Sequence, residues 1–152
     1  LKEEQFEETK KAIEYCYSLN PGIMIEVGTD ENAGINFGIM NLEEIERELD
    51  FFTRFCKPEF YVVQTGSLVM EMNQVGNFNS EFVKKISQVL KLHGVKLKEH
   101  NADYLSREEI EKRHGIVDAM NIAPQLGVLQ TVFVLQKCLL YGIGFSDFLN
   151  ET

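Results

Sequence analysis

Four times along the chain a short apolar stretch stops on a cluster of polar groups and then gives way to a helical pattern. The four are GIMIEVGTDEN (residues 22–32), FYVVQTGS (60–67), VKLKEHNADYL (95–105) and IVDAMNIAPQLG (116–127). Repeated strand, polar tip and helix build a parallel sheet with its functional groups gathered along one edge. In a (β/α)8 barrel that edge is the C-terminal face, where active sites lie.

The stretches between follow helical periodicity. Residues 2–19 place Phe6, Ile13, Cys16 and Tyr17 against a charged opposite side, and Asn20-Pro21-Gly22 ends the helix. Residues 23–27 are nearly continuous in apolar side chains, the pattern of a strand covered on both faces. A polar loop rich in Gly and Asn, residues 28–38, follows. A second helix is predicted over 42–56, with Leu42, Ile45, Leu49, Phe52 and Phe55 on one stripe, and a strand over 60–63. The tip 64–79 carries an apolar patch, Leu68, Val69, Met70 and Met72, that extends the strand or covers the site. A third helix runs from Asn79-Ser80 to His93, with Gly94 beyond it. A fourth begins at Ser106, where Ser-Arg-Glu-Glu matches a capping box ending on Glu109. The last helix, 128–141, is apolar on most sides and is therefore expected to be well buried.

The sum is an α/β chain of parallel (βα) units, α(βα)4. This is either a small open sheet or the C-terminal half of a TIM (β/α)8 barrel, with residues 1–152 as a single domain that is part of a larger barrel. A half barrel leaves two strand edges unpaired, to be covered by its other half or by a partner.

Composition changes the picture in a few places. At 152 residues, 44% hydrophobic and 26% charged, the chain is an ordinary globular domain. Its opening on Leu1 suits an excised or processed piece. A formal charge of −9 argues against nucleic acid, which needs a basic stripe. A phosphorylated small molecule remains open, since it needs only a local cation or backbone N–H groups. Cys16, Cys56 and Cys138 are far apart without CxxC spacing, so they read as buried free thiols of a cytoplasmic protein. No apolar run of about 18 residues and no signal peptide is present, so no membrane contact is expected.

The richest tip is Lys98-Glu99-His100-Asn101-Ala102-Asp103-Tyr104. Strand alternation sets Lys96, Lys98 and His100 on one face and Val95, Leu97 and Glu99 on the other. If the apolar set meets the helices, two lysines and a histidine point into the barrel, a costly arrangement unless the site is wet or anionic. His100 then suits a metal ligand or an acid/base, with Asp103 orienting it or accepting a substrate hydroxyl. The same residues also fit a hydrogen-bonded polar cluster at the sheet edge.

Glu26 alternates to the same inward face. With Thr29, Asp30 and Glu31 beside it, the first tip suits a divalent cation such as zinc, with His100 and Asp30 as ligands; solvated loop carboxylates are the plainer reading. Gln64, Thr65, Gly66 and Ser67 form a neutral tip suited to phosphate or sugar hydroxyls, or a simple turn. Asn101 belongs to the same substrate-binding set. So do Asn121 and Gln125 at the fourth tip, where the following helix offers free N–H groups as an anion site. His93 and His114, each before a Gly at a helix end, read as structural. The glycines match neither the Rossmann fingerprint nor a P-loop, so nucleotide and flavin have no signal, and no GxSxG is present.

These tips resemble, in order, the class II D-tagatose-bisphosphate aldolase non-catalytic (Z-type) subunit family. The resembling segments are Val27-Gly28-Thr29-Asp30, the Gln-x-Gly of Gln64 and Gly66, the His-x-x-Asp-Tyr of His100, Asp103 and Tyr104, and Pro124 with Leu126 after the fourth strand. They cover about residues 22–140. The resemblance implies a (β/α)8 barrel related to class II ketose-bisphosphate aldolases. It also implies a phosphorylated-sugar pathway and a partner subunit carrying most of the zinc machinery. Asp30-Glu31-Asn32 and Lys98-Glu99 are more charged than the family pattern, which leaves this chain open to being an aldolase itself.

Two functional expectations follow. In the first, an aldolase-type subunit binds or cleaves a ketose bisphosphate, tagatose-1,6-bisphosphate-like, to triose phosphates. His100 is its metal ligand or acid/base, Asp103 and Glu26 its supports, and Lys98 its electrophile or phosphate partner. In the second, a non-enzymatic supporting or regulatory subunit stabilises a catalytic aldolase partner. Either is compatible with a homo-oligomer.

Overall fold

The computed structural model describes residues 2–28, 42–144 and 146. Helix α1 (Lys2–Leu19) leads into strand β1 (Glu26–Gly28), then helix α2 (Leu42–Phe52) and strand β2 (Phe60–Val63). A small antiparallel hairpin follows, β3 (Val69–Met70) with β4 (Asn73–Gln74), then helix α3 (Ser80–Leu92) and strand β5 (Lys96–Glu99). Helix α4 (Arg107–Arg113), strand β6 (Ala119–Met120) and helix α5 (Pro124–Tyr141) complete the order.

The main sheet is parallel and sequential, β1-β2-β5-β6. Sequential order matters, because right-handed crossovers that always step in one direction lay their helices on one face. Doubly wound sheets reverse direction and so create a ligand crevice at the switch point; this sheet has no reversal. The core agrees. Val27, Tyr61, Val63 and Leu97, one face of the strands, are buried with Ile45, Leu49, Val83, Ile86 and Leu90 of α2 and α3. The alternate residues Glu26, Gly28 and Lys96 are exposed, and Phe60, Val62 and Lys98 are half-buried. α1 joins the helical layer through an aromatic cluster, with Phe6 stacked on Phe51 at 4.9 Å and edge-on to Phe52 at 5.9 Å.

Local chemistry sets the helix ends. Asn79 caps α3, accepting from the Phe82 N–H at 3.1 Å, and Ser106 caps α4, accepting from the Glu109 N–H at 3.3 Å. His93 and His114 are the C-caps of those helices, each followed by a glycine of positive φ, Gly94 and Gly115.

Several boundaries differ from the sequence expectation. The first strand pairs only over Glu26–Gly28, and Met24 before it is 77% exposed, not covered on both faces. α2 stops at Phe52, four residues early, and turns occupy the approach to Pro58. The apolar patch after β2 forms its own hairpin and does not extend the strand. α5 starts at Pro124 and is not well buried: of its residues only Cys138 is fully covered, while Leu129 and Phe133 are 57% and 59% exposed. Its apolar character lacks a covering element among the described residues. Cys16, Cys56 and Cys138 are all free, and burial pushes the Cys56 thiol up from its ordinary value. Among the described residues no helix is long and apolar enough to cross a membrane.

Candidate functional site

The C-terminal ends of β2, β5 and β6 lie side by side, and backbone hydrogen bonds carry their ladders one residue further. The His100 N–H donates to the Val63 carbonyl at 3.1 Å and the Asn121 N–H to the Glu99 carbonyl at 2.9 Å. His100 thereby falls on the face opposite Glu99, as alternation requires. The Asn121 amide and the His100 Nδ1 are 3.4 Å apart. When the amide donates, the ring proton sits on Nε2. Asn121 is thus one neighbour of the imidazole. One strand step back, the Lys98 Nζ meets the Glu26 carboxylate at 2.6 Å across the bare face of the sheet. That pair joins two of the sequence-expected residues and sets a cation under the strand ends.

Asp103 does a different job from the one expected. It is 2% exposed, and its Oδ1 accepts from the Ala123 N–H at 3.0 Å and the Gln125 N–H at 2.9 Å. Ala123 is a poor cap and Pro124 has no N–H, so this carboxylate, supplied from another loop, satisfies and neutralises the amino end of α5. Those two donors are therefore engaged and not free for an anion. The loop carrying Asp103 is itself clamped. The Gln125 Oε1 accepts from the Tyr104 N–H at 2.9 Å, and the Gln74 Nε2 donates to the carbonyls of Asn101 and Asp103 at 2.9 and 3.0 Å. The Gln74 Oε1 accepts from the Leu68 and Gly76 N–H groups, so one carboxamide ties the β3–β4 hairpin to the β5 tip. Asn101 and Tyr104 hold φ of 58° and 57°. For a tyrosine that left-handed conformation costs about 1–3 kcal/mol and persists where the surroundings over-determine it.

Thr65 and Ser67 turn to the helix side. Both hydroxyls donate to the buried Glu99 carboxylate, and the Ser67 hydroxyl accepts from the Arg113 Nη2 at 2.8 Å. The Arg113 Nε reaches the other Glu99 oxygen at 2.6 Å, its Nη1 donates to the Glu109 carbonyl at 2.7 Å, and Phe78 lies 4.1 Å below its guanidinium carbon. Glu99 and Arg113 are both buried, so this is a fully desolvated ion pair with its hydrogen bonds made. It fastens the β2 tip, the β5 tip and α4 into one unit behind the site. Gly66, read from sequence as a ligand contact, holds φ +97°, and a Cβ there would meet the Asn77 carbonyl oxygen at 2.2 Å. Its glycine serves the close approach of the segment after β4. Gln64 follows β2 directly and is half-buried at the same end of the sheet.

The sequence reading missed Gln74, Glu99, Arg113 and Phe78. A signal existed for one of them: alternation places Glu99 among Val95 and Leu97, and a carboxylate on an apolar face demands a buried cation.

The ligand set for a divalent metal does not assemble among the described residues. No three His, Cys, Asp or Glu side chains converge there, and Asp103 has turned its Oδ1 to α5. Asp30 lies outside the described residues, as do Thr29 and Glu31. What the described residues bring together is an imidazole, an amide and a lysine–carboxylate pair at one end of a parallel sheet. Such a set can hold and polarise a polyol or anionic ligand and exchange a proton with it. No family model matches the chain, and no curated protein matches it at a significant level.

Proposed function

We propose that this chain is half of an aldolase-type (β/α)8 barrel, a cytoplasmic subunit of carbohydrate metabolism that binds a ketose bisphosphate at its strand ends. The observation that carries the reading is His100 beside Asn121 at the C-terminal ends of a sequential parallel sheet that, among the described residues, buries one face against its helices. In such a sheet the bare face is the barrel interior and its C-terminal rim the site. Retro-aldol cleavage needs a proton taken from a hydroxyl and a cation near the developing enediolate. His100, with its proton on Nε2, suits donation to the developing enediolate oxygen, and Lys98, held by Glu26, offers charge there or for a phosphate. Gln64, Asn101 and Asn121 supply neutral hydrogen-bonding groups for sugar hydroxyls.

A second reading has its own support: a non-enzymatic subunit that stabilises a catalytic aldolase partner. Thr65, Ser67 and Asp103 are committed to internal hydrogen bonds, as suits a pocket kept for its architecture. Isothermal titration with Zn2+ and with a ketose bisphosphate separates the two. The catalytic reading expects saturable binding of the bisphosphate, weakened at least about tenfold, or 1.4 kcal/mol, in His100→Ala. A folded chain that binds neither ligand would move the assignment to the supporting subunit.

A further inference from the structure

We infer that Gln74 is a positioning residue of the strand-end site: through the turn at residues 101–104 it fixes where the His100 imidazole stands. This rests on the proposed site at the strand ends, and each contact it uses lies within the described residues. A carboxamide carries two N–H donors and two lone pairs, and Gln74 uses all four on backbone groups. Its Oε1 accepts from the Leu68 N–H at 2.6 Å and the Gly76 N–H at 3.2 Å, beside its own hairpin. Its Nε2 donates to the Asn101 carbonyl at 2.9 Å and the Asp103 carbonyl at 3.0 Å, in the turn after β5. Donors facing one end of the amide and acceptors facing the other leave it a single orientation.

The hairpin that carries Gln74 is a fixed base. The Val75 N–H donates to the Leu68 carbonyl at 2.8 Å and the Asn77 N–H to the Gly66 carbonyl at 2.9 Å. Gly66 and Gly76 let these backbones touch, since a Cβ on Gly76 would meet the Gly66 carbonyl oxygen at 2.1 Å. The turn, by contrast, is held against its own preference. Asn101 and Tyr104 are left-handed, and the Tyr104 hydroxyl is buried without a hydrogen-bond partner among the described residues. One side of the turn is held by β6 and α5. There the Ala102 N–H donates to the Asn121 carbonyl at 3.1 Å and the Tyr104 N–H to the Gln125 Oε1 at 2.9 Å. Gln74 holds two carbonyls from the hairpin side. Without those donors the turn is free to relax toward right-handed backbone. His100 directly precedes it, so its imidazole then leaves its place 3.4 Å from the Asn121 amide.

Nitrogen-15 imidazole spectra of the ligand-free chain test this, because they distinguish the two ring nitrogens and so read the tautomer. The chain has three histidines, and His93 and His114, at helix C-caps, serve as internal controls. Gln74→Glu keeps the acceptor and removes both donors; Gln74→Met is neutral and of similar length. At about pH 8, where imidazole is uncharged, each should narrow the separation of the two His100 nitrogen shifts at least about twofold, with His93 and His114 unmoved. Each should also raise the ketose bisphosphate Kd at least about tenfold. A purely structural tie would lower the thermal midpoint and leave the imidazole of the folded state where it is. Unmoved His100 signals, or an unchanged Kd in a parent that binds, overturn the inference. A parent that binds no ketose bisphosphate removes the aldolase reading, and the imidazole spectra then decide this one by themselves. Should both variants fail to fold, Gln74→Asn keeps a carboxamide one methylene short of the carbonyls, and the same outcomes apply.

Discussion

Glu99 shows how much one residue can ask of its surroundings. Its carboxylate is fully buried, and burying such a charge unpaired would cost several kcal/mol. The Arg113 guanidinium and the hydroxyls of Thr65 and Ser67 meet that demand together. Arg113→Met should therefore destabilise the chain by about 3–5 kcal/mol, since it leaves the carboxylate buried without its cation. The double variant Glu99→Leu with Arg113→Met should recover most of that loss, and urea denaturation of both variants checks it. A surface pair behaves differently. The Lys96 ammonium, by hydrogen bond and charge, holds the Glu59 carboxyl below its ordinary 4.5, and Glu59 holds Lys96 above its ordinary 10.5. The Glu59 contribution to stability is thus present above pH 4.5 and lost as pH falls through the lowered value; the Lys96 contribution is present below 10.5 and lost as pH rises past the raised one. Both groups are exposed, so the effect is small. Expected is a shallower fall of the thermal midpoint in Glu59→Gln than in the parent between about pH 5 and pH 3.

At the scale of elements, α5 depends on a residue outside itself. Its N-cap position is Ala123, which brings no side-chain acceptor, and Asp103 fills the role from the β5 tip. Asp103→Ala should fray the first turn of α5 and cost about 1–2 kcal/mol, as loss of a capping side chain does. Faster amide hydrogen exchange at Ala123 and Gln125, with little change in α3, is the expected signature. The β3–β4 hairpin has a comparable dependence, since Gln74 holds it to the carbonyls of Asn101 and Asp103. Sequence could find the apolar patch at 68–72 but not this carboxamide, because its partners lie 27 and 29 residues away.

For the whole molecule, the sheet order decides more than any single motif. Among the described residues, a sequential β1-β2-β5-β6 arrangement buries one face of the sheet against helices and leaves the other face less covered. A free-standing flavodoxin-like domain would instead reverse its strand order and cover both faces. The same arrangement puts the ends of β2, β5 and β6 together and so gathers His100, Asn121 and Gln64. The exposed apolar residues of α5 and of the β1 side belong to this scale too, because no local preference of the chain explains them.

The amino-acid sequence by itself determined the α/β class, the sheet strand over 60–63, the caps at Asn79 and Ser106, and the alternation that separates Lys98 and His100 from Leu97 and Glu99. Each of these follows from periodicity or from hydrogen bonds within a few residues. Tertiary structure alone decided which polar side chain meets which: Asp103 on the amino end of α5, Thr65 and Ser67 on Glu99, Glu99 on Arg113, Asn121 beside His100. It also decided that an apolar helix, α5, lies largely uncovered. Burial is a property of the neighbours an element finds, and a sequence pattern specifies the face that seeks cover without specifying what covers it.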